Sequence, residues 1–280
     1  MAYSLAPDEP LPEGIHRVMG EQLDRIEAHL RRGEVHDARK RLKEIRALLR
    51  LIRTPLGVTF ATENAWYRDI AHELSAARDA EAVLEAIKRL IAATDDPIVR
   101  DGLRRARRRL ARRRRATVET EALIARLGYA RARLAKWAAI ENDFDSAFAG
   151  GLRRTLRAGH KAFARAAENR AAEDFHELRK RVKDHWYHTQ LLTPAWPPVM
   201  KGHGRGVEQL SDLLGEQHDL VITAATVGDE SLQPFIAHER RRIEDDALRI
   251  ANLLFRESPR QWCKRVRGYW RSSPRTSVYP

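Results

Sequence analysis

Two stretches of this chain carry the same hydrogen-bond donors at the same spacing. Val35-His36-Asp37-Ala38-Arg39-Lys40-Arg41-Leu42-Lys43 returns 140 residues later as Phe175-His176-Glu177-Leu178-Arg179-Lys180-Arg181-Val182-Lys183. Residues i, i+3, i+4 and i+7 share one face of an α-helix. His36, Arg39, Lys40, Lys43 and Arg50 therefore fall in one strip, and His176, Arg179, Lys180 and Lys183 in another. The neighbouring acids Asp37, Glu44, Glu177 and Asp184 lie to the flank. Arginine offers a forked pair of N–H donors to a phosphate, lysine a mobile point charge, and histidine a donor set by its tautomer or by protonation. A single such strip reads most simply as a solvated helix face. Two strips in one register point to repeated anions held along a helix, and two strips packed face to face would line one channel.

The elements that must position these strips are helical throughout. Ile15, Val18, Met19, Leu23, Ile26 and Leu30 keep helical spacing, so Ile15–Leu30 predicts an amphipathic helix. Arg32-Gly33 ends it, and Glu34–Ile52 carries the first strip, with Val35, Ala38, Leu42, Ile45, Leu49 and Ile52 as its apolar side. Helices are expected over Glu63–Leu74 and Ala80–Ala92, with a turn over Ser75–Asp79. After Asp95-Asp96-Pro97 a long helix is expected to about Ala139, with interruptions. Gly150-Gly151 reads as a break. Helices are then expected over Leu152–Ala167 and Asp174–Leu192, the latter carrying the second strip. Pro194–Pro198 reads as a breaker, Gly202–Gly206 as a link, Val207–Leu214 as a helix, His218-Asp219 as a turn, and the rest as long helices to about Trp270. Leu74 and Asp79 match Leu214 and Asp219 at the same offset. A fixed-period self-match marks a repeated unit. The expected class is all-α, as two tandem helical bundles over 15–143 and 144–271, between a loose tail at 1–14 and a frayed one at 272–280.

Composition fits that class and narrows the partner. Apolar residues make up 43 % and charged residues 32 % of the 280, as in a soluble globular protein. The net charge of +13 favours a polyanion: nucleic acid, an anionic membrane surface or a phosphate polymer. Nine arginines crowd into Arg104–Arg115. They encircle their helix, so a solvated arm and a share in polyanion capture explain them equally well. Cys263 is the single cysteine, which excludes an internal disulfide. No apolar run is long enough to span a bilayer and no targeting segment is evident, so a cytosolic protein is expected.

With its doubled His-x-x-Arg-Lys-x-x-Lys helix and matched turns ending in Arg78-Asp79 and His218-Asp219, the chain resembles the CHAD family, the conserved histidine α-helical domain, from about residue 12 to 271. The resemblance implies two four-helix bundles related by pseudo-two-fold symmetry. It further implies a basic central channel that binds inorganic polyphosphate and an association with polyphosphate granules. Carried onto this chain, the binding positions are His36, Arg39, Lys40, Lys43, Arg46, Arg50, His176, Arg179, Lys180 and Lys183, with Arg17 and Arg154 on the preceding helices. Two features depart from the family pattern. Trp186 and Tyr187 replace Arg46 and Ala47 in the second copy, and no strand-like segment could supply the triphosphate tunnel domain found with many relatives.

Three other readings have sequence support. His36-Asp37 and His218-Asp219 resemble the pairs of metal phosphohydrolases, but Arg39, Lys40 and Lys43 would repel a divalent cation. Asp79 and Asp219 read more simply as helix caps or salt-bridge partners. No catalytic residue, metal site or cofactor is expected, and no phosphate-binding loop of the kinase type is present. A nucleic-acid binder fits the charge, yet no aromatics interleave the basic strip to stack on bases, and the tryptophans fall at core or helix-end positions. A membrane-surface role would compete for the apolar faces that the bundles need.

Overall fold

The structure, a computed structural model, describes residues 3–74, 76–112, 120–137 and 139–273, without the side chains of 76–80. The side chains of the expected Arg78-Asp79 pair lie outside that description, as do Arg113–Arg115 of the arginine run; the backbone of 76–79 opens a helix rather than forming the expected turn. The described residues form helices and no strand. The first half contains α1 (Leu11–Arg31), α2 (Val35–Leu51), the short α3 (Arg53–Leu56), α4 (Thr59–Glu73), α5 (Ala76–Ala93), α6 (Pro97–Ala111) and α7 (Thr120–Leu134). The second contains α8 (Gly150–Asn169), α9 (Ala172–Leu191), α10 (Pro197–Val227), α11 (Gln233–Leu254) and α12 (Pro259–Ser272).

The repeat is visible in who packs on whom. α1 packs on α2 and α7, α2 on α4, and α5 on α6. In the second half α8 packs on α9 and α12, α9 on α10, and α10 on α11. The hydrophobic cores, however, do not divide at residue 143. One cluster joins α1, α2, α4 and α7 to α8, α9, α12 and parts of α10 and α11. The other joins α5 and α6 to the C-terminal part of α10 and the N-terminal part of α11. Each core draws on both halves, so the repeat is not a pair of separate bundles in tandem.

Several local expectations need correction. The Gly-rich link and the turn at His218-Asp219 are both interior to α10, one helix of 31 residues. Of its four glycines, the three at 202, 204 and 206 stand in the expected link, and each disfavours helix by about 1 kcal/mol. Burying Met200, Val207, Leu210, Leu214, Leu220 and Val227 outweighs them at roughly 1.5–3 kcal/mol each. The break expected at Pro194–Pro198 holds: α9 ends at Leu191, a 3-10 turn spans Thr193–Ala195, and Pro197 and Pro198 open α10, where a missing N–H costs nothing.

Gly150-Gly151 is not a break. It opens α8 directly after a π-turn at Asp145–Ala149. A Cβ on Gly151 would stand 1.9 Å from the carbonyl oxygen of Leu51, so glycine is what lets α8 cross the end of α2.

Residues 3–10 are a strap rather than a loose tail. Leu5 is fully buried and its N–H donates to Leu191 O at 2.9 Å, while the Tyr3 hydroxyl donates to Glu44 O at 2.8 Å. Trp186 and Trp262 are buried as expected, and Trp196, half exposed, stands at a helix end as the N-cap residue of α10. Cys263 is buried, its Sγ facing Ala149 O.

Candidate functional site

The two motif helices touch each other, and they do so through their later turns. Arg50 Nη1 of α2 donates to Asp184 Oδ1 of α9 at 2.9 Å, and His188 Nε2 lies 2.8 Å from Ala47 O. Ahead of that crossing the earlier turns of both helices stay open, and α10 closes the third side. The result is a cavity of about 420 Å³. His36, Lys40 and Lys43 line it from α2, Arg179, Lys183, Trp186 and Tyr187 from α9, and Ser211, Asp212, Gly215, Glu216 and Asp219 from α10. The two basic strips thus share one space, which periodicity alone could not establish.

Burial of apolar residues sets this geometry. On α2, Ala38, Leu42, Ile45 and Leu49 are buried as the pattern predicts, and so are Ala47, Leu48 and Leu51. That second apolar stripe exists because α1, α4, α8 and α9 all pack on α2. It draws the last turns of the strip into the protein and leaves only the first turns free to face the cavity.

The cavity is two-signed rather than uniformly basic. Lys40, Lys43, Arg179 and Lys183 face a wall of α10 that carries Asp212, Glu216 and Asp219. Asp219 is held by Arg89 of α5, Nη2 to Oδ2 at 3.2 Å, which makes it a salt-bridge partner in mid-helix and not a cap. The cationic side dominates at Lys183. Burial, reinforced by Arg179 and Lys40 against the pull of Asp212 and Glu208, lowers its pKa to about 8. Its Nζ rests 4.4 Å above the Trp186 ring. Ser211, on the same wall, is 1 % exposed and its hydroxyl has no hydrogen-bond partner among the described residues.

The histidines behind the cavity are held neutral. His176 stacks on His218 with ring centroids 4.7 Å apart. Burial, then Lys180 and Arg179, lowers the pKa of His176, and burial with Arg179 lowers that of His218 to about 4. At neutral pH His176 therefore offers a tautomer-dependent N–H and not the protonated donor the sequence allowed.

Several expected positions do not line this cavity. Arg17 faces the N-terminal strap: it donates to Glu9 and to Glu21 Oε1 at 3.0 Å, and to Ser4 O at 3.1 Å. It is a clamp for that strap. Arg50 is engaged with Asp184. Arg46 lies half-buried with Nε 3.4 Å from Asn64 Oδ1, and burial lowers its pKa to about 10. Lys180 is exposed and pairs with Glu177 at 2.5 Å. Arg154 stands on α8 among Arg53 and Arg157, burial and these two cations lowering its pKa. Arg39 is half-buried on α2 and His176 lies behind the cavity.

The His-Asp pairs do not converge on a metal. Asp37 turns toward His29 and Glu34, the one metal-capable group among the described residues. There His29 Nδ1 lies 2.6 Å and Arg32 Nη2 2.8 Å from Glu34 Oε2, so the carboxylate already has two partners. His36 faces the cavity instead.

The α10 wall was the part that sequence reading missed. Asp212 and Glu216 fall at i and i+4 and Asp219 at i+7, a helical signal that becomes legible only once 202–219 is read as helix.

Fold and cavity together define an all-α protein in which one basic helix, used twice, supplies two walls of a single cleft. A family model described as the CHAD domain matches residues 17–228, and the chain belongs to that family. The match takes in both motif helices and ends with α10, short of the expected reach to residue 271. No curated protein matches the chain. No helix among the described residues is long and apolar enough to cross a membrane.

Proposed function

We propose that the α2–α9–α10 cleft binds linear inorganic polyphosphate, without turnover and without a cofactor. One observation carries the reading: Lys40 and Lys43 from one repeat and Arg179 and Lys183 from the other line one cavity. Four cations along two walls match a chain of closely spaced anions better than they match a single phosphate. Arg179 supplies a fork for one phosphate, and the lysines, Lys183 among them, supply point charges for its neighbours. Membership of the CHAD family supports the choice of polymer through the resemblance already described, and association with polyphosphate granules would follow from such binding. The acids of α10 confine the chain to the α2–α9 side.

The test is a comparison of polyphosphate with duplex DNA of equal charge at physiological salt. Polyphosphate is expected to bind at least about 100-fold tighter, since a cavity of about 420 Å³ leaves a duplex with exterior contacts only. Lys40→Glu combined with Lys183→Gln should lower polyphosphate affinity by roughly 100-fold or more at about 1.5–3 kcal/mol per charged contact, with helical content unchanged. Equal affinity for both polymers would make the protein a general polyanion or nucleic-acid binder. Retained affinity in the double variant would remove the cleft as the site.

A further inference from the structure

α6 turns Leu103, Ala106 and Leu110 into the second core. On its opposite side Arg104, Arg105, Arg108 and Arg112 fall within an arc of about 100° and along about 12 Å of axis, at 100° and 1.5 Å per residue. All four are exposed. Arg104 has one loose partner, Asp101 at 3.4 Å, both more than half exposed. Arg105, Arg108 and Arg112 form no ion pair within 4 Å of a described carboxylate, although Arg105 lies close enough to Asp229 to help lower its pKa.

Elsewhere several arginines are paired: half-buried Arg131 with Asp24 and Arg126 with Glu73, each at 2.7 Å, and exposed Arg170 with Asp245 at 2.5 Å. The repeat makes the contrast internal. The positions 140 residues on from the four, all on α11, hold Glu244, Asp245, Leu248 and Asn252. There Arg240 and Arg242 pair with Glu244 and Glu239 at 3.3 and 3.0 Å. The C-terminal end of a helix favours cations by only about 0.3–1 kcal/mol each, which tolerates such a cluster but does not neutralise it.

We propose that this face of α6 is a second surface for a phosphate chain, and that one long chain occupies it together with the cleft. This rests on the polyphosphate reading of the cleft. The two surfaces are joined through α10. Arg109 of α6 donates to Val227 O at the end of that helix, and Asp219 at the cleft lies eight residues earlier, about 12 Å along the axis. Forked arginine donors suit phosphate oxygens, and no aromatic side chain stands between these arginines to stack on a base, which favours the inorganic polymer over single-stranded nucleic acid. A chain long enough to reach both surfaces gains from effective concentration, so affinity rises with chain length beyond what the cleft alone provides.

The experiment compares wild type with Arg104→Gln/Arg105→Gln/Arg108→Gln/Arg112→Gln, using tripolyphosphate, a chain of about 100 phosphates and duplex DNA across a salt series. The arginine variant should bind tripolyphosphate as wild type does. It should bind the long chain at least about 10-fold more weakly, with a shallower salt dependence. Wild-type affinity and salt dependence for the long chain would overturn the proposal. So would loss of DNA binding with long-chain affinity intact, which would assign the surface to nucleic acid. Tripolyphosphate binding in the Lys40→Glu/Lys183→Gln variant reports on the cleft separately: its survival would sink the cleft reading, while the long-chain loss in the arginine variant reads α6 alone.

Discussion

α2 and α9 carry the same strip in sequence and present different parts of it to the cavity. α2 offers His36, Lys40 and Lys43, whereas α9 offers Arg179 and Lys183 and then Trp186 and Tyr187. Lys40 faces the cavity, while Lys180, its match at offset 140, is exposed and paired with Glu177. Arg179 faces it, while its match Arg39 does not line it. Only Lys43 and Lys183 serve alike. Each strip has two edges, and the cavity takes one edge from α2 and the other from α9. Neighbours decide which: α9 is flanked along its length by the unbroken α10, whereas the matching segment of the first half is divided into α4 and α5. A repeated motif therefore specifies what donors are present, and the packing around it specifies which of them are used.

The same asymmetry appears where the two helices end, and its disruption should have the largest effect. The Leu51 carbonyl is approached by the backbone of Gly151, and its match, the Leu191 carbonyl, accepts from the Leu5 N–H of the strap. Gly151→Ala should cost at least about 3 kcal/mol, because the obstructing atoms are backbone and cannot swing away. Thermal unfolding followed by circular dichroism reads this directly. Gly206→Ala in α10, where an added Cβ meets nothing within 4 Å, should be neutral or gain up to about 1 kcal/mol. Equal losses would mean that the α2–α8 crossing is not tight.

Next in size is the acid limb of stability, which belongs to the α10 side. Burial lowers His203 and His218 to about 4, against roughly 6.5 when unfolded. The unfolded chain then binds more protons between these values, so this stability is complete above pH 6.5 and is lost as pH falls toward 4. A loss of roughly 2–3 kcal/mol is expected over that window, allowing for partial solvent screening. Denaturant midpoints at pH 7 and pH 4.5 would show it, and His218→Gln should flatten the difference.

The paired lysines provide the sharpest check on edge use. Lys40→Gln should weaken polyphosphate binding about 10-fold, and Lys180→Gln by less than about 3-fold, the difference between a lost charged contact and a solvated pair. Equal losses in calorimetric titrations would show that both edges of both strips bind.

The smallest effect concerns protonation. Lys183 is charged below about 8 and neutral above it, so affinity should fall a few-fold as pH rises from 7 to 9. Lys183→Arg should remove that fall, because arginine stays charged. A flat wild-type profile would place Lys183 outside the contact.

Much of this was readable from residues alone. The apolar spacing of α1 and α2 and the doubled strip name the helices and five of the cavity residues. The strap was not readable, because Tyr3 and Leu5 are isolated apolar residues among prolines and acids, and their burial depends on a distant carbonyl at Leu191. α10 was not readable as one helix, because local penalties at Gly202, Gly204 and Gly206 are overridden by burial that only the folded chain provides. Arg17 stands away from the cavity for a related reason: its carboxylate partners include Glu9 of that same strap.

The most direct measurement is a crystal structure of the protein soaked with tripolyphosphate. Phosphate oxygens are expected within hydrogen-bonding reach of Lys40, Lys43, Arg179 and Lys183 together, along the α2–α9 side and away from Asp212 and Glu216. Phosphate bound only elsewhere on the surface, or an empty cleft at saturating ligand, would contradict that expectation.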